Sequence, residues 1–221
     1  MCINSRSSLF DAITANRRGT DRELLGAAVQ KGDEWFVDGH NTYTWHRAIA
    51  TTVRPSRVLE LGIRYGYAGV ALLQGSIAAG IAAPRYVGVD SEADGIPSNS
   101  IALRNLKSID PTARILKVDT LDVKQVNVEL MKLRKVYDVV HVDGCHSVEG
   151  VQAELKIAET WARRDGFILI DDIDTSHIRD AAVAFGRNVG VLPIVLPTQH
   201  GLAVIDMRKR TVYEIQSRDS R

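Results

Sequence analysis

The sequence predicts a doubly wound α/β fold whose mostly parallel, seven-stranded sheet ends in an antiparallel hairpin. Three observations predict it. From Arg57 onward, short apolar runs alternate with stretches of helical period, as parallel strands joined by crossover helices do. The last two runs are separated only by residues 197–201, too few for a crossover helix, so they pair as a hairpin. The first run ends in an acid and enters a glycine-spaced loop, LELGIRYGYAG, where open sheets of this class bind ligands.

Taken in order, residues 1–50 form an N-terminal helical and aromatic arm, and residues 51–221 a single α/β domain. In the arm, Leu9, Phe10, Ile13, Leu24, Leu25, Ala28 and Val29 recur at about the helical period. Residues 35–46 (WFVDGHNTYTWH) are aromatic and broken by Gly39; they form either a lid over the site or a packing arm. Strands are expected at 58–61, 86–89, 114–118, 137–142, 167–170, 192–196 and 202–205. Helices are expected at 67–80, 98–108, 122–134, 148–164 and 176–188. The stretch Trp161-Ala-Arg-Arg-Asp-Gly166 reads as a helix end, with basic residues in the last turn and glycine terminating it.

The bulk composition narrows the function. A formal net charge of +1 without a basic run argues against a nucleic-acid partner. Two cysteines, Cys2 and Cys145, give neither a disulfide framework nor a structural zinc spacing. No apolar run approaches the roughly 18–20 residues that cross a bilayer, and the first residues lack the apolar core of a secretory signal. A cytoplasmic protein acting on a small molecule is expected.

The first loop reads G-x-x-x-G-x-x-G from Gly62, not the G-x-G-x-x-G of dinucleotide sites. Gly62 and Gly66 permit positive φ and close backbone approach. Glu60, at the end of the first strand, would repel a pyrophosphate but suits a ligand carrying an ammonium and a sulfonium. Asp90 ends the second strand, where a carboxylate can accept from both ribose hydroxyls. Asp119 ends the third and could accept from an adenine amine. Each acid alone has a plainer reading as a cap or turn residue; three successive strand ends with an acid favour a ligand.

VLELGIRYGYAG, YVGVD and YDVVHVDG closely resemble motifs of class I S-adenosylmethionine-dependent methyltransferases, over roughly residues 55–207. The resemblance implies Glu60 and Gly62 near the methionine part, Asp90 on the ribose, and Asp119 and Thr120 near adenine. Tyr65, Gly66, Ser91 and Asp143 complete the expected cofactor contacts.

Further along, YDVVHVDGCHSVEG delivers Asp143 at a strand end, with His146 three residues beyond, and the next strand (FILI) ends in Asp171-Asp172. Three carboxylates leaving adjacent strand ends are costly without a cation, and a hard divalent ion such as Mg²⁺ takes oxygen ligands. Asp143, Asp171 and Asp172 are the expected metal ligands, or one of the 171/172 pair stands behind the other. The plainer alternative is that Asp171 or Asp172 caps the helix near Ser176 and Asp143 holds a turn. VDGCHSVEGVQAEL followed by GFILIDDID resembles metal-dependent small-molecule O-methyltransferases that tailor sugars and natural products. That resemblance implies the same three metal ligands and favours His146 as general base, although some members use a carboxylate. Val148 stands where those enzymes usually carry an aromatic residue.

The expected reaction is Mg²⁺-dependent methyl transfer from S-adenosylmethionine to a sugar, polyketide-type or phenolic hydroxyl. The alternatives are a metal-independent or non-catalytic S-adenosylmethionine-binding protein, and an NAD-dependent oxidoreductase, which would leave the acid cluster unexplained. His141, inside an apolar strand, reads as a core histidine; His177 and His200 line an acceptor pocket or face water; His40 and His46 share the aromatic arm. Related enzymes often self-associate, and a homo-oligomer is possible by that analogy.

Overall fold

The computed structural model describes residues 5–29, 41–92, 95 and 98–210. Within them lie seven strands: β1 (Arg57–Leu61), β2 (Arg85–Val89), β3 (Arg114–Leu116), β4 (Tyr137–Val142), β5 (Ala162–Ile170), β6 (Ile194–Leu196) and β7 (Leu202–Asp206). They form one sheet in the order β3-β2-β1-β4-β5-β7-β6. β1 pairs in parallel with both β2 and β4, so the strand order reverses across it. β7 runs antiparallel to β5 and to β6. The expected hairpin is present, with β7 as its reversed strand, inserted between β5 and the edge strand β6.

The central strands are apolar along both faces because helices cover both. One face packs Leu59, Leu61, Val140, Val142, Ile168 and Ile170 against α6 (Val123–Leu133), α7 (Val148–Trp161) and α8 (Ser176–Asn188). The other packs Val58, Val139, Phe167 and Leu169 against α1 (Ser5–Asn16), α3 (Thr42–Val53), α4 (Tyr67–Ala78) and α5 (Ser98–Lys107). Such two-sided cover produces near-continuous apolar strands rather than alternating ones. Helix starts follow local chemistry: Asp122 accepts from the Gln125 amide, Ser147 from the Gly150 amide, and Thr20 with Glu23 closes a capping box on the short α2 (Asp21–Leu25).

One expectation changes. The helix expected over 148–164 ends at Trp161, and β5 begins at Ala162, which is extended and pairs with Tyr137. Arg163 pairs with Asp138 at 3.1 Å and with Asp165 at 2.9 Å rather than capping a helix. Gly166 passes so close to Asp138 that a Cβ would lie 2.8 Å from its carbonyl oxygen, and the ladder carries a bulge there. α3 runs from Thr42 to Val53, and its buried Trp45, Ala48 and Ile49 belong to the same core cluster as α4 and the sheet. Leu9, Ile13 and Leu25 are buried as expected. Residues 35–40, including His40, lie outside the described residues, as does Cys2. Among the described residues no helix is long and apolar enough to cross a membrane.

Candidate active site

Ladder hydrogen bonds continue past the strand ends and fix where the acids leave the sheet. The Gly62 amide donates to the Val89 carbonyl and the Asp143 amide to Leu61, each at 2.9 Å. The amides of Asp171 and Asp90 donate to Val142 and Leu116, each at 3.1 Å. Asp90, Asp143 and Asp171 therefore emerge along one edge, at the carboxyl ends of β2, β4 and β5, beside the strand-order reversal where ligands of open α/β sheets bind.

Gly62 and Gly66 both have positive φ, 78° and 74°. Gly66 is the N-cap of α4 and supplies no side-chain cap, leaving first-turn amides open to an anion. At Gly62 the tight neighbour is protein: a Cβ would lie 2.2 Å from Gly144 Cα and 2.3 Å from the Asp143 carbonyl oxygen. The glycine thus seats the loop after β1 on the loop after β4. Asp90 organises the same loop, its Oδ2 accepting from the amides of Ile63 (2.8 Å) and Arg64 (3.2 Å) and its Oδ1 from Glu92 (2.7 Å). Tyr65 and Ser91 are half-buried beside it. Asp119 is exposed and caps its own turn through the Leu121 amide. The Thr120 hydroxyl is buried and donates to Glu154 at 2.7 Å, which ties this turn to α7.

Beyond β4, Asp143, His146 and Asp172 converge, with one ligand atom from each within 4.8 Å of the others. His146 Nε2 is 2.9 Å from Asp172 Oδ2 and 3.9 Å from Asp143 Oδ1, so Asp172 is its hydrogen-bond partner. The imidazole is largely exposed, and Asp143 and Asp172 together push its pKa up to about 10. The reciprocal effect outweighs partial burial and holds the Asp172 carboxyl below its usual range. Asp172 has φ of 57°, a left-handed conformation that Asp tolerates better than most residues. That turn separates the two neighbouring acids: Asp172 faces the crevice and Asp171 turns to the buried side.

Alternation along a strand sets that side. Val58 and Glu60, Val139 and His141, and Leu169 and Asp171 are two-residue steps on the face covered by α3 and α4. There Glu60 is sealed in, with the Tyr86 hydroxyl donating to one carboxylate oxygen at 2.5 Å and His141 Nδ1 3.3 Å from the other. The resemblance places Glu60 near a methionine group; in the structure its carboxylate is spent on Tyr86 and His141. Burial raises the Glu60 pKa, opposed by His141. Burial opposes the charge on His141, but the Glu60 carboxylate prevails and lifts its pKa to about 9. Burial and His141 depress His46 to about 3.

The expected ligand trio is therefore divided, with Asp143 and Asp172 grouped around His146 and Asp171 grouped with His46 and His141. His177 donates from Nε2 to the His146 carbonyl at 2.6 Å, holding the Gly144–Ser147 turn, and His200 is exposed. Sequence reasoning missed Glu154. It is buried on α7, accepts from the Cys145 amide at 2.9 Å as well as from Thr120, and is raised by burial to about 7. Its signal was present: Glu154 falls on the apolar stripe of Val151, Leu155 and Ala158, where a charge requires a partner.

A family profile described as a methyltransferase domain matches residues 59–173. No curated protein sequence matches significantly. Among solved structures, a methyltransferase from Podospora anserina with S-adenosylhomocysteine bound is 16% identical, over 93% of this chain and 97% of that one, at a TM-score of 0.60. A TDP-rhamnose 3'-O-methyltransferase of calicheamicin biosynthesis is 14% identical, over 90% and 91% of the two chains, at 0.59. An O-methyltransferase of tomaymycin synthesis from Streptomyces achromogenes is 14% identical, over 93% and 99%, at 0.57. At these identities the likenesses establish the shared fold.

Proposed function

This chain belongs to the methyltransferase-domain family, and we propose that it transfers a methyl group from S-adenosylmethionine to a hydroxyl oxygen of a small molecule, assisted by a divalent cation. The observation that carries this reading is the convergence of Asp143, Asp172 and His146 at the open end of the crevice. The sugar and natural-product O-methyltransferases among its structural neighbours support a hydroxylated small molecule as acceptor.

The residues fit both groups. The uncapped first turn of α4 suits the carboxylate of a methionine moiety; Asp90 stands just past β2 and Asp119 in the turn after β3, where the ribose and base would lie. Asp143 and Asp172 are oxygen donors already drawn to one cation, the protonated ring of His146, as hard divalent ions require. They are the proposed ligands for Mg²⁺, with Asp171 behind them. When bound, the ion would polarise the acceptor hydroxyl as a Lewis acid.

His146 is the proposed base. Two uncompensated carboxylates favour the protonated ring; with a cation on those carboxylates, Nε2 would be free to take a proton. Glu154 fixes the turn that carries the ring, and Nε2 would exchange its Asp172 contact for the acceptor hydroxyl. As His146 takes the hydroxyl proton, the acceptor oxygen bonds to the methyl carbon and the carbon–sulfur bond breaks, leaving S-adenosylhomocysteine. Holding the two reactants in line supplies much of the rate.

The test is label transfer from methyl-labelled S-adenosylmethionine to a panel of nucleotide-sugar, catechol and polyketide hydroxyls, using chelator-stripped protein with and without Mg²⁺. Alkali-stable label on oxygen that appears on Mg²⁺ addition is expected. Undiminished transfer in the stripped protein would overturn the metal assignment, and label on nitrogen alone would overturn the acceptor class.

A further inference from the structure

His46 on α3 and His141 in the middle of β4 meet at the buried interface of that helix with the sheet. Both side chains are fully buried and their Nε2 atoms are 3.2 Å apart. His46 Nδ1 lies 2.9 Å from the Thr42 carbonyl oxygen, which can only accept, so Nδ1 carries the proton and Nε2 presents its lone pair. His141 Nδ1 faces the Glu60 carboxylate at 3.3 Å, and Glu60 is held in turn by Tyr86. Each ring is thus oriented through Nδ1 by an oxygen acceptor, one a carboxylate and one a backbone carbonyl. Metal-ligating histidines are oriented in this way.

The two Nε2 atoms are aimed at one another, and two lone pairs so placed repel unless something lies between them. A proton on His141 Nε2, in either charge state of that ring, or a metal ion fills that place. For ligand bonds of roughly 2.0–2.1 Å, two nitrogens on a tetrahedral ion are ~3.3 Å apart, close to the separation found. Asp171 Oδ2 is 4.0 Å from His141 Nε2, and its side chain is 9% exposed. Together the three ligand atoms lie within 4.8 Å of one another.

We propose that His46, His141 and Asp171 form a second, buried metal site that clamps α3 to the sheet, taking Zn²⁺ or a similar borderline ion. Two imidazoles and a carboxylate favour Zn²⁺, Co²⁺ or Ni²⁺ over Mg²⁺. The site is separate from the crevice pair Asp143 and Asp172, and it stands whether or not the methyl-transfer reading holds.

Co²⁺ is the probe, added to the full chain after chelator stripping. One equivalent should give the visible bands of a four- or five-coordinate site, excess Mg²⁺ should leave them in place, and the melting temperature should rise. His46→Gln should abolish the bands, while Asp143→Asn with Asp172→Asn should keep them. Glu60→Gln, which takes the negative charge from the acceptor behind His141 without touching a ligand, should weaken Co²⁺ binding roughly 10–100-fold. The unsubstituted protein gives an independent reading: Co²⁺ loading should shift two exchangeable imidazole N–H proton resonances into the paramagnetic range. Bands lost in the Asp143/Asp172 variant but kept in His46→Gln would overturn the assignment. So would the absence of any Co²⁺ bands together with a doubly protonated His141 in the ¹⁵N imidazole spectrum, which would leave a shared proton as the occupant.

Discussion

Replacing Gly62 by alanine tests whether the two loops that build the crevice are locked by direct backbone contact. An added Cβ would lie 2.2 Å from Gly144 Cα, 2.3 Å from the Asp143 carbonyl oxygen and 2.5 Å from the Gly144 amide nitrogen. All three are backbone atoms, so no side chain can swing aside. The φ of 78° adds roughly 1–2 kcal/mol of left-handed strain, and forced overpacking adds about 1–3 kcal/mol. The sum, about 2–5 kcal/mol, is a large share of the roughly 5–15 kcal/mol that holds a typical domain folded. Gly80→Ala is the control, because Gly80 has φ of 87° and its nearest neighbour is the Arg54 guanidinium at 3.9 Å. It carries the strain without the collision. Urea unfolding should show Gly62→Ala less stable than Gly80→Ala by about 1–3 kcal/mol, with weakened S-adenosylhomocysteine binding in the first variant only. Equal losses in the two variants would refute the contact argument.

Three further outcomes follow from the same structure. His146→Ala should lower turnover about 10²–10⁴-fold while leaving the S-adenosylhomocysteine dissociation constant within a few-fold; unchanged turnover would end its role as base. Glu154→Ala strands the Thr120 hydroxyl and the Cys145 amide and should cost roughly 2–4 kcal/mol in urea melts, whereas Glu154→Gln, which keeps the acceptor oxygen, should cost much less. Asp110 is buried, and although burial pushes its carboxyl up, hydrogen bonds from Thr112, Tyr86 and Arg85 outweigh this and hold it below the usual range. Its stabilisation is therefore full above the unfolded carboxylate pKa of about 3.9 and fades as pH falls through the lower folded value. Asp110→Asn should be less stable than the unsubstituted chain by a constant margin between pH 5 and 7, about 1–3 kcal/mol, and the margin should close below about pH 4. A margin that widened in acid would reverse the sign.

The sheet was legible because its strands obey a simple rule: buried on both faces, they are short apolar runs, and the helices between them keep the helical period. The edge acids were legible because strand ends in an open sheet carry the ligand. Legibility failed where tertiary contact overrides local pattern. Trp161 to Gly166 reads as a helix end, yet Arg163 finds Asp138 on the neighbouring strand and the segment extends β5. Asp171 and Asp172 read as one pair, and only the left-handed turn at Asp172, invisible to composition, sends them to opposite sides. Period-two counting from Val58, Val139 and Leu169 does put Glu60, His141 and Asp171 on one face, so three of the four members of the buried cluster were available in advance. His46 was not, because its approach depends on how α3 docks.

The most direct test of the central claim is calorimetry of the chelator-stripped protein with S-adenosylhomocysteine, with and without Mg²⁺ and with NAD as the control. Saturable binding of one S-adenosylhomocysteine per chain, no heat with NAD, and a Mg²⁺ isotherm lost on Asp143→Asn is the result predicted. Heat with NAD, or none with S-adenosylhomocysteine under either condition, would contradict the account.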